Sequence, residues 1–173
     1  MKLLKTVLLF RHAKSSRDDP ESADFDRPLS KRGRRDAPRM GKWMREAGME
    51  PDLILCSDAR RARETWNGVS QTLQSAAPVL FERGLYLASA KVVLNRLRRL
   101  TGNVNCVLVI GHNPGLEEAA QLLSDHNGEA FERLRHKFPT AALARLDLKL
   151  DDWSKLEAGT GRLSLMVTPA DLD

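Results

Sequence analysis

The sequence predicts an α/β protein with a mainly parallel central sheet flanked by helices on both faces and an antiparallel edge strand near the C-terminus. Three observations carry this expectation. Several short, uniformly apolar runs rich in branched residues suit strands that are covered on both faces. Between them lie stretches with apolar residues three and four positions apart, the period of a helix with one buried stripe. The two patterns alternate from the first run onward, and that alternation implies right-handed βαβ crossovers.

Residues 7–10 (Val-Leu-Leu-Phe) read as the first strand, followed by the longest polar loop, 14–28. A helix is expected next: Ser30 is a plausible cap, and Ala37, Met40, Met44 and Ala47 form its stripe, although Pro38 must kink it or shift its start. Residues 53–56 read as the second strand. Ala62, Trp66, Val69 and Leu73 then mark a helix after Ser57 and Asp58. A third stripe, Val93, Leu97 and Leu100, lies behind Ser89. Residues 104–110 read as the next strand. After it, Leu116, Ala119, Ala120 and Leu123 form a stripe behind Asn113, with Pro114 at the first helical position. The C-terminal third departs from this rhythm. Residues 142–150 alternate leucines with polar neighbours, and Gly159-Thr160-Gly161 precedes a last run at 163–167, which predicts an edge strand and a closing hairpin. No repeat, low-complexity linker or shift of composition divides the chain, so a single domain over 1–173 is expected.

Composition narrows the functional classes. The chain has 173 residues, 42% hydrophobic and 29% charged, ordinary usage for a compact domain and unlike a disordered or fibrous protein. With 28 Lys+Arg against 23 Asp+Glu, the formal net charge of +5 points to an anionic partner without distinguishing nucleic acid from phosphoprotein or small phosphate esters. Cys56 and Cys106 sit in separate apolar runs and read as reduced core residues. The opening segment, 1–10, faintly imitates a signal peptide, but Arg11 ends its apolar run early and no small-residue cleavage site follows. With no stretch near the roughly 20 apolar residues of a membrane span, a cytoplasmic, membrane-independent protein is expected.

In open α/β sheets, ligands bind beyond the carboxyl ends of the strands. The residues found there are unusual as a set: Arg11-His12-Ala13-Lys14 after the first run, Ser57-Asp58-Ala59-Arg60-Arg61 after the second, and Gly111-His112-Asn113-Pro114-Gly115 after the third. Each alone is more simply a solvated residue at a strand end. Together they outline a phosphoryl-binding pocket, because guanidinium forks fit phosphate oxygens and imidazole supplies a nucleophile or donor near neutral pH.

These segments resemble the histidine phosphatase superfamily, with its phosphoglycerate-mutase-like fold, and within it the small SixA-type phosphohistidine phosphatases. The likeness rests on Leu9-Phe10-Arg11-His12-Ala13-Lys14-Ser15, on the segment from Cys56 to Thr65, on that from Val107 to Gly115, and on Arg27-Pro28-Leu29-Ser30-Lys31-Arg32-Gly33. The resemblance implies that His12 attacks phosphorus and is transiently phosphorylated. It assigns Arg11, Arg61 (not Arg60) and His112 to catalysis as the groups that hold the phosphoryl oxygens, with no metal and no cofactor. Family members that act on esters place a carboxylic acid over the leaving oxygen. Here the corresponding region, 81–86, offers only Glu82, slightly out of register; its simpler reading is a solvated loop charge, and its alternative reading is a general acid. A missing acid favours a phosphoramidate over an ester, since imidazole leaves far more readily than alkoxide.

The expected partner is therefore a phosphorylated protein of the histidine-phosphotransfer type. A small phosphate ester in the same pocket is the alternative, and a basic nucleic-acid-binding domain is the alternative from another class. Asp24-Phe25-Asp26 lacks the preceding apolar strand of a metal-dependent aspartyl phosphatase and reads as loop. His126 and His136 read as surface residues. The basic stretch 27–45 reads mainly as a solvated helix face, part of which, Arg34, Arg35 and Arg39, is positioned to steer an acidic phosphoprotein.

Overall fold

The computed structural model describes residues 4–173; Met1, Lys2 and Leu3, which open both the leader-like segment and the expected domain, lie outside the described residues. In chain order the elements are β1 (Leu4–Arg11), α1 (Lys31–Glu46), β2 (Leu53–Ser57), α2 (Arg60–Leu73), β3 (Val79–Glu82), α3 (Ala90–Arg98), β4 (Cys106–Gly111), α4 (Gly115–Leu123), α5 (Glu129–His136), β5 (Leu143–Lys149) and β6 (Gly161–Val167). The strands form one sheet in the order β3-β2-β4-β1-β5-β6, parallel from β3 to β1 and antiparallel from β1 through β5 to β6.

The continuous apolar runs are explained by burial on both faces. Alternate residues of β1 point oppositely: Val7 and Leu9 join a core with α3, α4 and α5, whereas Leu8 and Phe10 join a core with α1 and α2. Ser30 caps α1 by accepting from the Gly33 amide at 3.1 Å, and Ser89 caps α3 by accepting from Val92 at 3.2 Å. Pro38 lies inside α1, which runs on to Glu46, while Ala47 falls at its C-cap and is exposed.

The expected antiparallel edge strand near the C-terminus is β6, and β5 lies beside it, between β1 and β6. Its leucines alternate because Leu146 and Leu148 face the core while Asp147 and Lys149 do not. β5 and β6 form the expected closing hairpin, whose connection carries a 3-10 turn at Trp153–Lys155; the buried Trp153 indole donates to the Val104 carbonyl at 2.8 Å. Pro114 is the N-cap of α4 and not its first residue, and Asn113 does not cap it, because the Asn113 amide donates to Glu117 and to the Phe138 carbonyl. Two elements lacked a readable pattern. β3 is a four-residue strand at the opposite edge, with Leu80 largely exposed, and α5 buries only Phe131 and Leu134 among charged neighbours.

Lys5 occupies the far end of β1 from the site and is almost wholly buried. Its ammonium donates to the Gly102 carbonyl at 2.8 Å, the Val104 carbonyl at 3.0 Å and Asn105 Oδ1 at 2.8 Å, tying the start of β1 to the turn that leads into β4.

Two glycines set how closely the loops around the sheet's carboxyl edge approach their helices. A Cβ at Gly33 would lie 2.2 Å from the Lys14 carbonyl oxygen, and one at Gly115 would lie 1.8 Å from that of Ala88. Both contacts are with backbone, which cannot swing aside. Gly115→Ala is therefore expected to destabilise the fold by about 1–3 kcal/mol, an overpacking cost, measured as a lower urea midpoint at unchanged m-value. A midpoint equal to that of the unmodified chain would show that the Ala88–Gly115 approach is not a constraint.

Candidate functional site

Strand register assembles the site. β1 and β4 are parallel neighbours paired Thr6↔Cys106 through Arg11↔Gly111, so the residues that follow, His12 and His112, emerge side by side, with ring centroids 5.2 Å apart. The His12 amide extends the ladder by donating to the Gly111 carbonyl at 3.0 Å. β2, on the other side of β4, ends at Ser57, and α2 begins immediately after it, which puts Arg61 in that helix's first turn. Three contiguous strand ends thus deliver Arg11, His12, Arg61 and His112 to one pocket of about 310 Å³, which Lys14, Arg17, Asp24 and Arg27 also line.

The hydrogen bonds of His12 define its tautomer. Its Nδ1 lies 2.7 Å from the Ala13 carbonyl, which can only accept, so Nδ1 carries the proton and Nε2 carries the lone pair. Nε2 accepts from Arg61 Nε at 3.3 Å. Burial pulls the pKa of His12 down to about 3, the Ala13 carbonyl opposing it and the nearby His112, Arg61 and Arg11 reinforcing it. His112 is likewise held down to about 3, by burial first and then by Arg61 and Arg11. Its Nε2 lies 2.7 Å from the Ser57 hydroxyl. Both rings are therefore neutral at physiological pH.

Supporting bonds fix the frame. Thr65, fully buried one turn beyond Arg61, donates its hydroxyl to the Arg61 carbonyl at 2.7 Å and accepts the Ala13 amide at 3.0 Å. It joins the loop after β1 to α2. Arg11 Nη1 donates to the Phe138 carbonyl at 3.0 Å. Among the described residues, Arg11 Nε, His112 Nδ1 and Asn113 Oδ1 are buried polar atoms without a hydrogen-bond partner, and all three belong to residues lining this pocket. Unpaired buried polar atoms are rare in native folds, and these three lie together at the pocket.

Glu82 is not brought to the pocket. It ends β3, and its carboxylate is gripped by Arg96 through contacts of 2.7 and 2.9 Å. The carboxylate that does reach the pocket is Asp24, on a 3-10 turn (Asp24–Asp26) of the loop 14–28, which the sequence offered only as loop. Asp24 Oδ2 accepts from Arg61 Nη2 at 3.1 Å and from the Tyr86 hydroxyl at 2.5 Å, while Oδ1 accepts from Arg27 at 3.0 Å. The Tyr86 bond foremost, with Arg61 and Arg27, holds the Asp24 carboxyl below the usual carboxylate range. Ser57 and Tyr86 were also missed. The only signal for them was position, Ser57 at a strand end and Tyr86 in the segment where a carboxylic acid was sought.

The steering residues expected on α1 each hold a contact within the protein. Asp36, almost wholly buried, lies 3.0 Å from Arg35 and 3.5 Å from each of Arg32 and Arg39; Arg39 also meets Asp173, and Arg34 donates to the Leu29 carbonyl. Arg34 keeps its charge beside a neutral carbonyl, and Arg32, Arg35 and Arg39 share the single Asp36 carboxylate, so this face of α1 stays net positive. Among the described residues no three His, Cys, Asp or Glu side chains converge as metal ligands, and no helix is long and apolar enough to cross a membrane.

Comparison with known proteins agrees with this geometry. Residues 7–86 match the model of the histidine phosphatase superfamily (branch 1). An uncharacterized protein of Mycobacterium tuberculosis, Rv1276c, is 37% identical over 158 residues, covering 88% of this chain and 95% of its own. A Nakamurella multipartitia structure assigned as phosphohistidine phosphatase SixA superposes with a TM-score of 0.84 at 26% identity, covering 96% of each chain. The protein histidine phosphatase SixA complexed with tungstate superposes with a TM-score of 0.80 at 25% identity, covering 97% of this chain and 99% of its own.

The depressed histidine pKa values make a direct prediction. Because neutral imidazole is favoured in the folded state, the stability it confers is complete above an unfolded pKa of about 6.5 and is lost as the pH falls towards about 3. Ring NMR signals of His12 and His112 should keep their neutral positions between pH 7 and pH 5, while the urea midpoint already falls. A ring titration midpoint near 6.5 for His12 would contradict the burial argument.

Proposed function

The chain belongs to the histidine phosphatase superfamily, and from that premise we propose that it is a phosphohistidine phosphatase whose nucleophile is His12 Nε2. One observation carries the proposal: the Ala13 carbonyl fixes the His12 proton on Nδ1, leaving Nε2 unprotonated beside Arg61 in the pocket. Nε2 attacks phosphorus in line, the Nε2–P bond forms and the bond to the leaving group breaks. Arg11, Arg61 and His112 hold the equatorial oxygens and stabilise the charge developing on them. Water then attacks the phosphoryl group on the opposite side, restores neutral His12 and releases inorganic phosphate. The related SixA structure complexed with tungstate, a tetrahedral oxyanion, supports an oxyanion pocket in this family.

The choice of substrate follows from the acids. Glu82 is bound by Arg96, and Asp24 is kept ionised by Tyr86, Arg61 and Arg27, so neither is a ready proton donor to an alkoxide. A phosphohistidine protonated on its other ring nitrogen releases neutral imidazole, a weak base whose conjugate acid has a pKa near ~6.5, and needs far less assistance. Protein phosphohistidine is accordingly the preferred substrate, and a small phosphate ester in the same pocket is the second reading. The phosphoprotein partner is of the histidine-phosphotransfer type, in keeping with the SixA relatives. No metal is used in this scheme.

Denaturing the enzyme in alkaline detergent during turnover should trap an alkali-stable, acid-labile phosphoenzyme in the unmodified protein and none in His12→Ala, with EDTA without effect; full turnover by His12→Ala would remove it as nucleophile. Arg61→Ala should lower kcat/KM by about 100-fold or more, the loss typical of a transition-state oxyanion donor. Substrate class is tested by comparing a phosphorylated histidine-phosphotransfer domain with a panel of small esters at one ionic strength. Preference for the esters would overturn the phosphohistidine reading and leave the chemistry standing.

A further inference from the structure

The edge of the Arg61 guanidinium formed by Nε and Nη2 is shared by two unlike groups. Nε donates to the nucleophilic Nε2 of His12 at 3.3 Å, and Nη2 donates to Asp24 Oδ2 at 3.1 Å. Nη1 is also engaged, by the Asp24 backbone carbonyl at 2.6 Å. Such an edge, with two parallel N–H groups, fits two oxygens of a carboxylate or of a phosphoryl group equally well. A phosphoryl group arriving at His12 Nε2 must therefore take its place on Arg61 in competition with Asp24.

The two partners differ in freedom. The Arg61 side chain is 5% exposed and anchored in the first turn of α2, whereas the Asp24 side chain is 45% exposed on a short turn within the long polar loop. Asp24 is the partner that can swing away. Its position also answers an electrostatic problem. Five cationic residues line the pocket, Arg11, Lys14, Arg17, Arg27 and Arg61, and Asp24 is the one carboxylate among the lining residues. Without it, the pocket would retain inorganic phosphate, the product of its own reaction.

We propose that Asp24 is a positioning residue that acts through Arg61 as an internal competitor for oxyanions, weakening the hold on free phosphate and favouring substrates whose phosphoryl group arrives on a larger body. The proposal rests on the reading of Arg61 as a phosphate-binding residue. A protein-borne phosphoryl group brings further contacts with the rim and displaces the carboxylate at an affordable cost; free phosphate brings none and is released.

The test uses Asp24→Asn, which keeps the shape and removes the charge, with Asp24→Ala as a second variant and Arg61→Ala as control. Inorganic phosphate is titrated into each by calorimetry, and product inhibition and phosphoenzyme trapped in alkaline detergent are measured in parallel. Both Asp24 variants should bind phosphate about tenfold or more tightly, the scale of one charge-assisted hydrogen bond, with stronger product inhibition and phosphoenzyme still formed. Damage to the site would weaken binding, so a gain cannot arise from misfolding. Unchanged or weaker phosphate binding in both variants, with phosphoenzyme present in the unmodified protein, would overturn the role of Asp24 and leave the phosphatase reading intact. Phosphate affinity unaffected in Arg61→Ala, or no phosphoenzyme in the unmodified protein, would instead remove the reading on which the proposal stands.

Discussion

The site depends on the parallel register of β1 against β4. Because Arg11 pairs with Gly111, the first residues beyond both strands are histidines at matching heights, and their rings meet. A slip of one residue would do more than separate them. It would turn every side chain of β1 to the opposite face, exchanging Leu8 and Phe10 with Val7 and Leu9 between two differently shaped cores. The cores that bury the strand therefore also fix the alignment of the histidines, and the arrangement of the pocket is as stable as the sheet's packing.

Much of this architecture was legible in the sequence because double-sided burial leaves a strong mark. The runs containing Leu8, Ile54 and Leu108 are apolar without alternation, as strands inside a covered sheet must be. Elements that bury little left no such mark. β3 contributes four residues at an edge, and α5 offers two buried side chains in eight, so neither rises above the background of loop composition. The role of Asn113 was misread for a different reason: a good capping residue was drawn instead into bonds with Glu117 and Phe138, a choice made by tertiary neighbours and invisible to local propensity.

The site shows the same division. Arg11, His12, Arg61 and His112 were legible because strand ends in a parallel sheet are few and each was followed by a charged or imidazole side chain. Asp24 was not, since the loop 14–28 also carries Asp18, Asp19, Glu21 and Asp26, and nothing local distinguishes the one that folds back onto Arg61. Glu82 illustrates the converse. It stands near the right place in sequence, yet the next helix supplies Arg96 to neutralise it. A carboxylate is assigned to a pocket by the cations that reach it first, and these come from helices whose rotation the sequence does not state.

The buried ammonium of Lys5 gives this arrangement an origin. It fastens the opening of β1 to the carbonyls of Gly102 and Val104 and to Asn105, just before β4 begins, and so fixes the zero point from which both strands are counted. Six residues further along, where the count ends, stand Arg11 and Gly111. The phase between the two imidazoles is thus set at the opposite margin of the sheet, by a side chain that lies far from the pocket.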